Sequence, residues 1–118
     1  MNKRCKKKKI KKSHKRINIY TINVCERLEV DDKGWPDCGS LRTVGYYTDR
    51  EYAIKAVEMN MCDIYEMCYN YAIIEKVEEG LYNPSIDTLF FKYDISTDTY
   101  KKISKPEFMK HFCGFSVG

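Results

Sequence analysis

The sequence predicts an α+β fold, a mostly antiparallel sheet with one main helix packed on it as a two-layer sandwich, preceded by a basic tail. Three observations carry this. Five stretches read as strands by apolar alternation or short apolar runs. One stretch combines a capping signal with helical spacing of its apolar residues. The basic excess is concentrated in residues 1–16, which marks the tail off from a single domain over residues 17–118.

The elements follow in order. Residues 17–30 (INIYTINVCERLEV) read as one long strand, with Tyr20, Ile22, Val24, Leu28 and Val30 on one parity and Glu26 as the interruption. Residues 31–40 (DDKGWPDCGS) are a loop, and residues 41–47 (LRTVGYY) a second strand. Thr48 is the expected helix N-cap, with Glu51 three residues on completing a capping box. The helix should run from Asp49 to Asn60, with Ala53, Ile54, Ala56 and Val57 as its apolar face, Met61 extending it and Asn60 stopping it. Residues 63–68 form a short helical turn, and residues 69–77 (YNYAIIEKV) a strand ending in the turn Glu78-Glu79-Gly80. Residues 88–93 and 99–103 pair as a hairpin across the polar stretch Asp94–Asp98. Lys105-Pro106-Glu107 opens a short helix, and FCGFSVG at the end of the chain reads as a last edge strand.

The chain has 118 residues and a formal charge of +4. Ten basic residues and no acidic one lie in residues 1–16, which leaves 11 basic against 17 acidic residues over 17–118, a body of −6. The length suits one domain and excludes most large enzyme folds. No apolar run reaches 18 residues, so no transmembrane helix is expected, and the basic start is followed by no apolar segment of secretory type. Without such a leader the six cysteines are expected to be reduced thiols, and the setting to be the cytoplasm of a bacterial host.

Chemistry is sparse. There is no P-loop, no G-x-S-x-G and no G-x-G-x-x-G. His14 lies in the tail, and a His111–Cys113 dyad has no evident orienting third group, so no catalytic residue is expected. Cys62, Cys68, His111 and Cys113 are of metal-ligating types, but no C-x2-C pair is present, so neither metal nor cofactor is expected. Asp31, Asp32 and Asp37 share a loop without the spacing of a calcium-binding loop.

Two features point outward. A tail of this charge binds polyanions by counterion release, which nominates Lys6, Lys7, Lys8, Lys9, Lys11, Lys12, Lys15 and Arg16 as nucleic-acid-binding residues. Ten Tyr, five Phe and one Trp make the body aromatic-rich, and Trp35, Tyr46 and Tyr65 are its candidate partner-interface residues.

The segments GYYTDREYAIKAVEMN (45–60), CDIYEMCYNYAIIEKVEEGLY (62–82), FFKYD (90–94) and KPEFMKHFCGFSVG (105–118) resemble a group of small hypothetical proteins from gut Gram-positive bacteria, their phages and mobile elements. The resemblance covers about two-thirds of the chain, excludes the tail and implies a phage or mobile-element setting. It carries over no catalytic residue. The expectation is a non-enzymatic binding protein, foremost an anti-defence inhibitor of the anti-CRISPR kind. Its Lys-rich tail would contact nucleic-acid phosphates while the acidic, Tyr-rich body docks on a host protein. Two alternatives stand beside it: a general RNA- or DNA-binding accessory protein such as a ribosome-associated factor, and a small-nucleotide sponge in which Arg42 or Arg50 meets a phosphate.

Overall fold

A computed structural model describes residues 16–109 together with Gly114 and Phe115. Its elements are β1 (Asn18–Cys25), β2 (Glu29–Val30), β3 (Pro36–Asp37), β4 (Leu41–Tyr47), helix α1 (Arg50–Glu58), β5 (Tyr71–Glu78), β6 (Ser85–Asp94) and β7 (Thr99–Ile103). Five strands form an antiparallel sheet in the order β4-β1-β5-β6-β7, with α1 packed against it. The expected α+β class is therefore present. Among the described residues no helix is long and apolar enough to cross a membrane.

The faces of the sheet follow strand parity. Ile22, Val24, Ala72, Ile74, Phe91 and Tyr100 point to one side, where Ala53, Ala56 and Val57 of α1 cover them. Cys25, Ile73 and Phe90 point to the other, where Leu28, Cys38, Phe108, Met109 and Phe115 pack on them. The adjacent pairs Ile73-Ile74 and Phe90-Phe91 reflect this double cover, since each neighbour needs its own apolar surroundings.

The second face also holds a buried polar network. Asn23 and Glu75 are both fully buried. Asn23 Nδ2 reaches Glu75 Oε1 at 3.2 Å, Thr21 Oγ1 at 3.1 Å and the Ile73 carbonyl at 3.3 Å, while its Oδ1 accepts from Thr43 Oγ1 at 2.6 Å. Glu75 Oε2 accepts from Ser85 Oγ and from the Phe115 amide at 2.7 Å. Burial of such groups is tolerable only because partners replace water.

The expected strand over 17–30 stops at Cys25. After it the chain leaves the sheet: the Glu26 and Arg27 amides donate to the Ser40 and Cys38 carbonyls, each at 3.2 Å. Asp31 Oδ1 then accepts from the Lys33 and Trp35 amides at 2.9 and 2.8 Å, and Gly34 turns at φ +86°. This Asx-type turn closes β2 on β3 as a separate ribbon. Leu28 accordingly packs on the face opposite Ile22 and Val24, and the alternation past Cys25 does not belong to β1. The second strand has the bounds expected, 41–47.

The N-cap is Asp49 and not Thr48. Asp49 has extended backbone (φ −111°, ψ 124°), and its Oδ1 accepts from the Glu51 and Tyr52 amides at 2.8 and 3.4 Å. The Glu51 carboxylate accepts from Arg50 Nη1 at 3.0 Å, an interaction a capping box would not use. The helix also ends sooner than expected, at Glu58. Asn60 does take the left-handed conformation expected of a stop (φ 49°, ψ 46°).

Where residues 63–68 read as a helical turn, the chain makes a 3-10 turn over Met61–Asp63 followed by tight turns. Asn60 dictates this. Its Oδ1 accepts from the Tyr65 amide at 2.9 Å and its Nδ2 donates to Asp98 at 3.1 Å, tying the segment to the β6–β7 loop. The β6–β7 hairpin, the turn at Gly80 and a short helix at Glu107–Met109 are as expected. The expected last edge strand lies largely outside the described residues. Gly114 and Phe115, its described part, are not in a strand.

Candidate interaction face

The tail joins the body at the start of β1, an inner strand, at one end of the sheet. Arg16 Nη1 lies 3.1 Å from Glu78 Oε1, and the Ile17 carbonyl accepts from the Glu79 amide at 2.8 Å. The ion pair is exposed and worth at most about 1 kcal/mol, so the backbone bond and the β1–β5 ladder fix the root. Lys6, Lys7, Lys8, Lys9, Lys11, Lys12 and Lys15 lie outside the described residues.

Tyr46 stands next to this root. It is 62% exposed and helps line a cavity of about 330 Å³ with Ile17, Ile19, Thr48, Val77 and Glu78. Tyr46 pairs with Thr21 and Tyr47 with Tyr20, so the two rings project to opposite faces of edge strand β4. On the helix side the Tyr47 ring stacks on Tyr52 (centroids 6.4 Å, 25°), and its hydroxyl approaches Met61 Sδ at 4.0 Å. A second cavity of about 190 Å³ runs beneath, lined by Val44, Tyr46, Tyr47, Ala56, Met61 and Ile64. Tyr52 and Met59 extend the exposed apolar surface.

This edge exists because of a register break. Ile22 pairs with Gly45 and Asn23 with Thr43, so Val44 is an extra residue on β4. A bulge of this kind twists an edge strand and discourages regular pairing with another chain. It leaves side chains, rather than a flat hydrogen-bonding edge, as the contact surface.

The other candidate residues lie at the opposite end of β1. Trp35, 67% exposed, tops the β2–β3 turn that follows Cys25. Tyr65 is half-buried, with one ring face covered by Tyr93 (centroids 3.7 Å, 7°), and Tyr93 meets Tyr100 edge-on at 5.3 Å. The hydroxyl of Tyr93 bonds Asp98, which pushes its pKa up to about 12. Tyr65 is thus part of an aromatic stack, and Tyr69 is buried with its carbonyl accepting from Tyr100 Oη at 2.6 Å. Tyr46 shares a cavity with Ile17 and with Glu78, the partner of Arg16; Trp35 and Tyr65 do not join them.

The other chemical candidates are engaged locally. Arg42 pairs with Glu66 at 3.5 Å and Arg50 with Glu51 at 3.0 Å. Asp31 is bound by its own loop, and Asp37 is held below the usual carboxylate range by the Gly39 amide and then by Arg27. Among the described residues no three His, Cys, Asp or Glu side chains converge as a metal site. Cys62 and Cys68 are exposed, while His14, His111 and Cys113 lie outside the described residues. A hollow of about 550 Å³ on the far edge is lined by Thr88, Phe90, Lys102, Ile103 and Lys105, with no acidic side chain among its described lining residues.

Sequence reasoning missed Tyr52, which stacks on Tyr47, and the exposed Met59 at the end of the same helix. Their helical spacing is visible in the sequence, but their position beside β4 is set by the packing of α1. Comparison of the chain with protein-family models, with curated proteins and with solved structures gave no match.

Proposed function

We propose that this chain is a non-enzymatic binding protein that docks on a host nucleoprotein complex, as an anti-defence inhibitor would. The tail lysines Lys6, Lys7, Lys8, Lys9, Lys11 and Lys12, with Lys15 and Arg16, contact nucleic-acid phosphates. The edge strand β4, with Tyr46 on one face and Tyr47 against Tyr52 on the other, meets protein. The observation that carries the proposal is the charge partition: ten basic residues in 1–16 joined to a body of −6, with the exposed aromatic edge at the junction. Opposite charges on adjacent segments suit a composite target, in which phosphates and basic protein surface lie side by side. The resemblance to phage and mobile-element proteins favours a host complex as that target.

The test is binding of defined single- and double-stranded RNA and DNA by the full chain, across a salt series. If six to ten phosphates are contacted, affinity should fall roughly 10³- to 10⁵-fold between 50 and 200 mM salt. Replacing Lys6, Lys7, Lys8, Lys9, Lys11 and Lys12 by Ala should weaken binding to all sequences and flatten the salt slope. Unchanged affinity in that variant would remove the tail as the anchor. Capture from host lysate, with and without nuclease, then separates the readings. A partner retained at high salt after nuclease treatment supports docking on protein. A partner lost with the nucleic acid supports a general accessory protein.

A further inference from the structure

Cys25 and Cys38 are brought together by the neck of the β2–β3 excursion. Cys25 is the last residue of β1 and is fully buried; Cys38 follows β3 and is half-buried. The two lie in one apolar cluster, each thiol within interaction range of the other, and the Cys25 thiol also donates to the Arg27 carbonyl at 3.4 Å. The backbone sets this contact. The Glu26 and Arg27 amides, consecutive in the chain, reach carbonyls two residues apart, those of Ser40 and Cys38. Gly39 takes up the extra residue at φ +66°, where a β-carbon would meet Glu26 Cβ and Arg27 Nη1 at 3.1 Å. Cys38 packs against the cluster that holds Cys25.

We infer that Cys25 and Cys38 form a redox-modification site, a dithiol that a hydroperoxide converts to an intramolecular disulfide across the neck of the loop carrying Trp35. Side-chain rotation must bring these neighbouring sulfurs to an S–S bond of about 2.05 Å. The two sulfurs have different roles. The Cys25 thiol lowers the pKa of Cys38 by hydrogen bonding, and the Arg27 guanidinium adds to this. The same hydrogen bond, followed by burial, keeps Cys25 protonated. Cys38, the more accessible, is the attacking thiolate.

The chemistry balances. Cys38 sulfur attacks the outer oxygen of the hydroperoxide, the O–O bond breaks, and the alkoxide leaves as an alcohol after taking the Cys38 proton. Cys25 sulfur then attacks the resulting sulfenic acid, the S–O bond breaks, and hydroxide departs as water with the Cys25 proton. Two thiols lose two electrons, which the hydroperoxide accepts. The disulfide encloses the twelve residues between the cysteines, including Trp35, so oxidation restrains the loop that presents that ring.

The test treats the reduced full chain with hydrogen peroxide, blocks remaining thiols and maps peptides by mass spectrometry. A linked peptide pair containing Cys25 and Cys38, reversed by dithiothreitol, is expected, together with a rise in Tm of several degrees and slower proteolysis between residues 26 and 37. Cys38→Ser should abolish the link and the Tm rise, whereas a Cys62→Ser, Cys68→Ser double variant should retain both. Oxidation of Cys62 or Cys68 while Cys25 and Cys38 stay alkylatable would overturn the assignment. So would Cys38 advancing to the sulfinic acid with Cys25 still a free thiol.

Discussion

Asn23→Ala is the substitution expected to damage the fold most for its size. Asn23 is fully buried in β1 and faces Thr21, Thr43, Ile73 and Glu75. Its amide nitrogen has two hydrogens for three acceptors within 3.3 Å, so two bonds count at once, plus the 2.6 Å bond it accepts from Thr43. Each such bond nets about 1 kcal/mol, and a buried group stripped of its partner costs about 1–3 kcal/mol. Glu75 keeps Ser85 Oγ and the Phe115 amide on its other oxygen, Oε2, so the carboxylate retains partners although Oε1 loses its bond from Asn23, and the lower figures apply. The sum is about 3 kcal/mol, against a total stability of about 5–15 kcal/mol for a domain of this kind. Denaturant unfolding should show the midpoint falling with little change in slope, and Tm should drop by roughly 12–24 °C. Thr43→Val should couple to Asn23→Ala by about 1 kcal/mol in a double-mutant cycle, since the two share one bond. A loss below about 1 kcal/mol for Asn23→Ala would refute the reasoning, because it would mean that water already serves these groups.

The helix start gives a sharper comparison at lower cost. Asp49→Ala should lose about 1 kcal/mol of stability while Thr48→Ala changes little, and the reverse order would restore Thr48 as the cap. Asp37 is held below the ordinary carboxylate range by Gly39 and Arg27, and Asp94 by the Ser96 hydroxyl and amide. A depressed folded-state value means stability that is present above the unfolded value of about 4 and lost as pH falls through the folded one. Asp37→Asn should therefore make Tm fall less steeply below about pH 4 than in the parent chain, and parallel curves would argue against it.

What the sequence made legible were features encoded by neighbours in the chain. The β4 bounds, the β6–β7 hairpin and the stop at Asn60 follow from alternation, turn residues and left-handed tolerance. The helix cap was displaced by one residue because Thr48 and Asp49 are both competent caps, and only backbone geometry distinguishes them. The overlong first strand has a similar cause: Leu28 and Val30 keep β1's parity, while the Asp31 turn and the Gly39 kink redirect the chain. Asn23 and Glu75 carried no signal at all. Polar residues on a strand read as solvent-facing, and their burial depends on partners 20, 52 and 10 residues distant. The proximity of Cys25 to Cys38 is equally non-local, and so is the separation of Trp35 and Tyr65 from Tyr46.

That split limits how a partner can be engaged. The root of the tail lies where β1 begins, Tyr46 lies opposite Thr21 midway along it, and Trp35 lies beyond its end. At about 3.3 Å per residue the strand puts about 25 Å between the root and Cys25, and about 13 Å between the level of Tyr46 and Cys25. A standard interface buries about 800 Å² on each side, a patch roughly 30 Å across, so a single contact centred on Tyr46 has room for the root and reaches towards the β2–β3 loop. Under the proposed docking, the tail and Tyr46 would then share one contact, with Trp35 at its margin. A loop restrained by a Cys25–Cys38 disulfide would in that arrangement alter the margin and leave the tail and Tyr46 in place.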